Sequence, residues 1–210
     1  MEVIKDYIAT GRINRPGTAN SMKYITIHDT ANKSKGANAK SHASYIKTIK
    51  DCKSWHYTVD DTSIYQHIPD NEKSYHTSDK EANENSIAIE ICVNEDGDFA
   101  KACENAVWLV KELMKRYGIS IGNVVTHNYW TGKNCPASLL KQGLADFISA
   151  CAEKDVVDEP METPDIEEPT PLPPAAQTPD DVVGKTTIEE KDVLFKWKLG
   201  SFTLYAVKNK

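Results

Sequence analysis

Nothing in the sequence resembles a membrane-spanning helix: no run of about 18 apolar residues occurs. There is no CxxC pair, no GxGxxG, no GxxxxGK followed by Ser or Thr, no GxSxG and no HExxH. Their absence removes the usual signatures of thiol redox, nucleotide, serine-hydrolase and helical zinc-protease sites. No internal repeat is present, which excludes solenoids and propellers. The opening residues Met1 to Ile8 lack the basic flank, apolar stretch and small-residue cleavage site of a secretory leader. The expectation is a chain made in the cytoplasm without a signal peptide. Five cysteines, an odd number widely spread, argue against a disulfide framework.

What is present is unevenly distributed. The 210 residues carry a net charge of −6, but residues 1–152 hold 18 Lys/Arg against 18 Asp/Glu and residues 153–183 hold 1 against 10. Residues 184–210 hold 6 against 3. The acidic stretch also contains seven of the ten prolines and no aromatic residue, so it cannot bury a core and reads as an extended, self-repelling linker. No segment has the basic excess that nucleic-acid binding requires, and neither nucleic acid nor membrane is expected as a partner. The expected organisation is a domain over 1–152, an acidic Pro-rich linker over 153–183 and a small C-terminal β element over 184–210.

In the first segment, short β-branched runs alternate with helical patterns, which predicts an α/β domain with helices flanking a central sheet. Strands are expected at Tyr24–His28, His56–Asp60, Ser63–Ile68, Ser86–Cys92 and Asn123–His127. The second and third are separated only by Asp61 and Thr62, so they should form a hairpin and make the sheet mixed. Helices are expected at Ala37–Lys50, at Phe99–Tyr117 with Phe99, Cys103, Ala106, Val107, Val110 and Met114 inward, and from Pro136 to about Cys151. The last would carry Leu140, Leu144, Phe147, Ile148 and Cys151 inward. Pro136 suits the first helical position and Cys135 the N-cap, where the helix dipole favours a thiolate.

His28 and His127 each close a predicted strand, and ligands collect at the carboxyl ends of strands in open α/β sheets. Cys135 follows eight residues after His127. Two imidazoles and a thiolate with an open fourth position form a known catalytic zinc set. Taken singly, a strand-end histidine is more commonly a hydrogen-bonded structural residue, so spacing leaves both readings open. Glu90 sits in SIAIEIC, where Ile87, Ile89 and Ile91 share one face and Ala88, Glu90 and Cys92 the other. A carboxylate on such a strand calls for a cation, a polarised water or a reaction.

The segments YITIHDTAN, GANAKSHASYI, SWHYTVDDTSIYQHIP, SYHTSD, NENSIAIEICVNEDGDF and VVTHNYWTGKNCPASLL, taken together, resemble the zinc-dependent N-acetylmuramoyl-L-alanine amidases of the peptidoglycan-recognition superfamily. Phage endolysins and bacterial autolysins are the nearest in pattern, and the resemblance covers roughly residues 1–150. It implies that His28, His127 and Cys135 hold one Zn2+ per catalytic domain, that Glu90 activates the attacking water, and that Lys133 stabilises the oxyanion. The implied reaction is hydrolysis of the amide between muramic acid and L-alanine in peptidoglycan, carried out on the cell wall after release through a permeabilised membrane.

Trp55 reads equally as a cleft aromatic or as core, and His56 and His76 as groove residues or as structural imidazoles. His42 and His67 read as structural. Cys52, Cys92, Cys103 and Cys151 read as small buried hydrophobes, and Asn94 to Asp98 as a polar turn rather than a calcium loop. In the tail, Leu194–Leu199 and Phe202–Val207 flank Gly200 and Ser201 and predict a hairpin. Twenty-seven residues cannot make an independent core, so wall binding, self-association or a disordered tail are the readings of 184–210. Two other functions are set against the amidase: a non-catalytic peptidoglycan-binding module, which the metal-type Cys135 disfavours, and a cytoplasmic muropeptide-recycling amidase, which the linker and tail disfavour.

Overall fold

The structure is a computed structural model that describes residues 1–141, 143–153, 193–199 and 202–207. The chain divides into two units, Met1–Val157 and Asp158–Lys210. Apart from Glu153, the expected acidic linker lies outside the described residues, as does the Gly200-Ser201 turn.

The first unit contains strands β1 (Val3–Lys5), β2 (Tyr24–Asp29), β3 (Tyr57–Val59), β4 (Ile64–Gln66), β5 (Ser86–Ile91) and β6 (Val124–Thr126). Its helices are α1 (Ala39–Ile46), α2 (Lys80–Asn85), α3 (Phe99–Tyr117), α4 (His127–Thr131), α5 (Ala137–Lys141) and α6 (Leu144–Ala152), with one 3-10 turn at Ile121–Asn123. The six strands form one sheet in the order β1-β4-β3-β5-β2-β6. Only the β3–β4 pair, the expected hairpin, is antiparallel. The sheet is therefore mixed and flanked by helices, as the patterning predicts. Among the described residues no helix is long and apolar enough to cross a membrane.

The register of the parallel strands β5, β2 and β6 positions the chemistry. Ile25, Ile27, Ile87, Ile89 and Ile91 point to one face and are fully buried in a cluster with Ala106, Leu109, Val110 and Leu113 of α3. Each such side chain contributes about 1.5–3 kcal/mol by leaving water. The alternate residues lie on the opposite face, where Ala88 joins Ile8, Ile46, Trp55 and Ile68 in a smaller cluster. On that face β2 and β5 set His28 directly beside Glu90, and β2 and β6 pair Ile27 with Thr126, one residue short of both histidines.

Local chemistry fixes the helix ends. Asn38, Asp79, Asp98 and Thr126 cap α1, α2, α3 and α4 with side-chain oxygens. Helix α3 stops where Gly118 turns left-handed at φ 67°.

Several expectations change. His127 is not a strand residue: Thr126 ends β6 and caps a helix that His127 begins. The predicted helix from Pro136 to Cys151 is two helices, broken where Gly143 adopts φ 98°. The break resets the phase, so Leu139 is buried where Leu140 was expected. In α3 the buried stripe runs through Ala102, Asn105, Ala106, Leu109, Val110 and Leu113, with Phe99, Cys103, Val107 and Met114 half-buried beside it. Helix α1 is shorter than Ala37–Lys50. Cys52 is exposed and Cys103 half-buried, while Cys92 and Cys151 are buried as expected.

In the second unit β7 (Val193–Leu199) and β8 (Phe202–Val207) pair antiparallel, with Leu199 opposite Phe202 and Trp197 opposite Leu204. This is the hairpin the alternation predicts.

Candidate metal centre and cleft

The carboxyl ends of β2, β5 and β6 open into a cleft of about 1250 Å³. His28, Glu90, His127, Lys133 and Cys135 all line it, together with Trp55 and His76. His28 arrives at the end of β2 and His127 on the first turn of α4. Cys135 comes from the loop that returns from α4 to α5, where Asn128 N–H donates to the Cys135 carbonyl at 3.0 Å.

The donor atoms converge. His28 Nδ1 lies 3.1 Å from His127 Nδ1 and 3.6 Å from Cys135 Sγ. One ligand atom from each of the three residues falls within 4.8 Å of the others, and all three residues are buried. The electrostatics suit a cation. Burial first, then the neighbouring His76 and His127, holds His28 well below the usual imidazole range. Burial and the Lys133 ammonium bring His127 to about 4. Both rings are thus neutral at pH 7 and free to ligate.

Cys135 corrects an expectation. It does not sit at a helix N-cap, because α5 begins at Ala137, and burial pushes its thiol up to about 12. Burial thus favours the thiol, and a cation bound beside it would favour the thiolate. The N-terminus of α5 is instead served by Asp29, whose Oδ2 accepts from Ser138 N–H at 2.9 Å.

Glu90 Oε1 is 4.0 Å from His28 Nδ1. That is too long for a hydrogen bond, and with His28 neutral it is no ion pair. Burial, then the charge of Asp29, raises the Glu90 carboxyl to about 8, against the pull of Lys133 and Lys53. Its Oε2 is buried with no hydrogen-bond partner among the described residues. Such an oxygen is costly unless the cleft's occupant supplies a partner. Lys133 is exposed on the loop after Gly132, where its charge reaches Glu90, His127 and Cys135.

The remaining sequence candidates separate. His56 is fully buried and absent from the cleft wall. Its Nδ1 accepts from Ala88 N–H at 2.9 Å, and its Nε2 faces the Glu72 carbonyl at 2.9 Å. It therefore ties β5 to the loop before α2 and is not a groove residue. Trp55 is 6% exposed and donates from Nε1 to Thr58 Oγ1 at 2.7 Å, so it is a core residue with one edge on the cleft. His67 is fully buried against Thr58 Oγ1. His42 lines the cleft with its Nδ1 on the Asn38 carbonyl at 2.9 Å.

Asp29 was not anticipated. It couples the β2 end to α5 and raises Glu90, and the one available signal was an acidic residue directly following a candidate ligand at a strand end.

Residues 18–138 match the sequence family described as N-acetylmuramoyl-L-alanine amidase. The chain is 54% identical over 142 residues to the amidase XlyA of Bacillus subtilis strain 168, covering 67% of this chain and 48% of that protein. It is 50% identical over 162 residues to CwlH of the same organism, covering 76% and 64%. The chain thus spans between about half and two thirds of these relatives' lengths. The solved catalytic domain of XlyA aligns with TM-score 0.70 at 50% identity, covering 72% of this chain and 99% of that one. The structure of PlyL aligns with TM-score 0.68 at 34% identity, covering 73% and 98%.

Proposed function

The chain belongs to the N-acetylmuramoyl-L-alanine amidase family, and on that premise we propose that residues 1–152 are a zinc-dependent peptidoglycan hydrolase that cuts the amide between the lactyl group of muramic acid and L-alanine. The observation that carries this reading is the convergence of His28 Nδ1, His127 Nδ1 and Cys135 Sγ beside the Glu90 carboxyl at the floor of one cleft. Two neutral imidazoles and a buried sulfur form a borderline-soft donor set with an open side, which fits zinc better than calcium or magnesium. Zinc held there supplies Lewis acidity toward a water and an amide carbonyl.

The chain's own groups supply the rest. Glu90 takes a proton from the attacking water at a carboxylate oxygen and passes it to the departing amine nitrogen, the two halves of general base and general acid work. Glu90 would be held ionised for the first half if a cation were bound beside it, since a nearby positive charge lowers a carboxyl's pKa. The Lys133 ammonium faces the oxygen on which negative charge develops. Losing a donor of that kind costs roughly 10²–10³ in rate. A cleft of about 1250 Å³ exceeds the roughly 300–1,000 Å³ of small-ligand pockets and accommodates a glycan segment with its stem peptide.

The test is metal content together with product chemistry. Wild-type protein should hold about one zinc and release free lactyl carboxyls paired with new L-alanine N-termini from walls, as read by mass spectrometry. A Cys135→Ala protein should lose both. Retained stoichiometric zinc and full activity in that variant would sink the assignment.

We also assign residues 153–183 as a spacer and residues 184–210 as an element that binds wall or a second copy. Deleting 184–210 should reduce pull-down on purified walls or lower the mass in solution. If neither changes, the tail has neither role.

A further inference from the structure

His76 lies between β4 and α2 and is 8% exposed, yet neither ring nitrogen is free to meet a substrate. Its Nδ1 is 3.0 Å from His28 Nε2. Its Nε2 is 3.2 Å from the Ala82 carbonyl and 3.1 Å from Ser86 Oγ. The proton positions follow from the partners. A carbonyl can only accept, so His76 carries its proton on Nε2 and donates to Ala82. Its Nδ1 is then an acceptor, and the donor facing it is His28 Nε2–H. With that proton on Nε2, His28 Nδ1 presents a lone pair toward His127 and Cys135.

The surroundings agree with this direction. Trp130 Nε1–H donates to Thr26 Oγ1 at 2.9 Å, and the Ser86 hydroxyl lies 2.8 Å from the same oxygen. Ser86 can therefore donate to Thr26 while accepting from His76. The relay is also anchored: Ala82 N–H donates to the Asp79 cap at 2.8 Å, and His76 N–H donates to Asn83 Oδ1 at 3.0 Å. The reverse relay would leave Ala82 unbonded by the ring and put a proton on His28 Nδ1, where a ligand lone pair is needed.

We propose that His76 is a positioning residue: it fixes the tautomer and ring orientation of His28, so that the short helix α2 acts on the metal centre through one carbonyl. The proposal rests on the metal reading above. Outer partners of this kind are worth roughly 10- to 100-fold in metal affinity.

The experiment uses the full chain, with zinc affinity measured by competition against a chromophoric chelator and the His28 ring read by 15N NMR in metal-free protein. His76→Phe should weaken zinc by roughly 10- to 100-fold and leave His28 as a mixture of tautomers. His76→Asn keeps an acceptor near the Nδ1 position and should recover most of both. Wild-type zinc affinity in folded His76→Phe, or a wild-type His28 protonated on Nδ1, overturns the proposal. If His76→Phe fails to fold by circular dichroism, the wild-type tautomer and the His76→Asn affinity decide it. Absence of zinc uptake by wild type defeats the metal reading, and the His28 tautomer then still decides the relay by itself.

Discussion

The two faces of the central sheet are made by alternate residues of the same strands, and they are held by different forces. Toward α3 the strands present Ile25, Ile27, Ile87, Ile89 and Ile91, a continuous aliphatic surface. Toward the cleft the same strands and their neighbours present Thr26, His28, Ala88 and Glu90, with His56, Thr58 and His67 alongside. On the first face the stabilisation is area removed from water, which any close-packed apolar set provides. On the second it is a web of directional bonds among buried polar groups, such as Ala88 N–H to His56 Nδ1 and Thr58 Oγ1 to His67 Nε2. The fold's stability can therefore reside mainly on one face and its chemistry on the other, one residue apart along each strand.

The sharpest separation should come from Glu90→Gln, which removes the proton acceptor while keeping the shape. Activity on walls should drop by roughly 10²–10⁴, with the urea midpoint not falling, since a buried carboxyl raised to about 8 gives way to a neutral group. A loss of activity explained by unfolding would erase the contrast between the faces. On the other face, Leu113→Ala removes a fully buried side chain of α3. It should cost about 2–5 kcal/mol of stability, read by denaturant titration, with activity per folded molecule unchanged.

Acid should then probe the cleft face selectively. Burial lowers His56 and brings His67 down to about 3, from an ordinary value of 6.5. The unfolded chain therefore binds more protons than the native one below pH 6.5. Stability from these neutral rings is complete above that pH and is lost as pH falls toward 3. His67→Gln should flatten the fall between pH 7 and pH 5, measured as the change in urea midpoint against wild type; an unaltered slope would show that this ring does not carry the effect. The smallest expected effect lies away from both faces: Asp98→Ala deletes the α3 cap and should cost about 1 kcal/mol in thermal unfolding, with zinc content unaffected.

Legibility in the sequence followed the same division. Helix α3 was readable to its last residue, because nineteen periodic positions end at a glycine that can turn left-handed. The β3–β4 hairpin and the Ile face of β5 were readable because alternation has only one parity. The candidate ligand triad was reached by resemblance more than by spacing, since His28 and Cys135 meet only through β2, β6 and the loop after α4. What escaped was short or set by tertiary contacts. Strand β1, helix α2 and helix α4 span three, six and five residues, too few for a period to show. The break at Gly143 reads as an ordinary residue in a helical pattern until its φ is known. The structural roles of His56 and His76 depend on carbonyls of Glu72 and Ala82, and backbone acceptors leave no mark in side-chain composition.

The separation of the donor residues along the chain has a thermodynamic meaning of its own. His28 lies 99 residues from His127 and 107 from Cys135, so in a denatured chain the three are scattered and no chelate exists. Any ion held by all three is held by the native state alone and adds RT ln(1 + [L]/Kd) to the unfolding free energy, about 4 kcal/mol at a thousandfold excess over Kd. A zinc ion bound there would thus act as a clasp on the native state: a chelator would lower the melting temperature without removing a single apolar contact, and the melting temperature would follow the free zinc concentration.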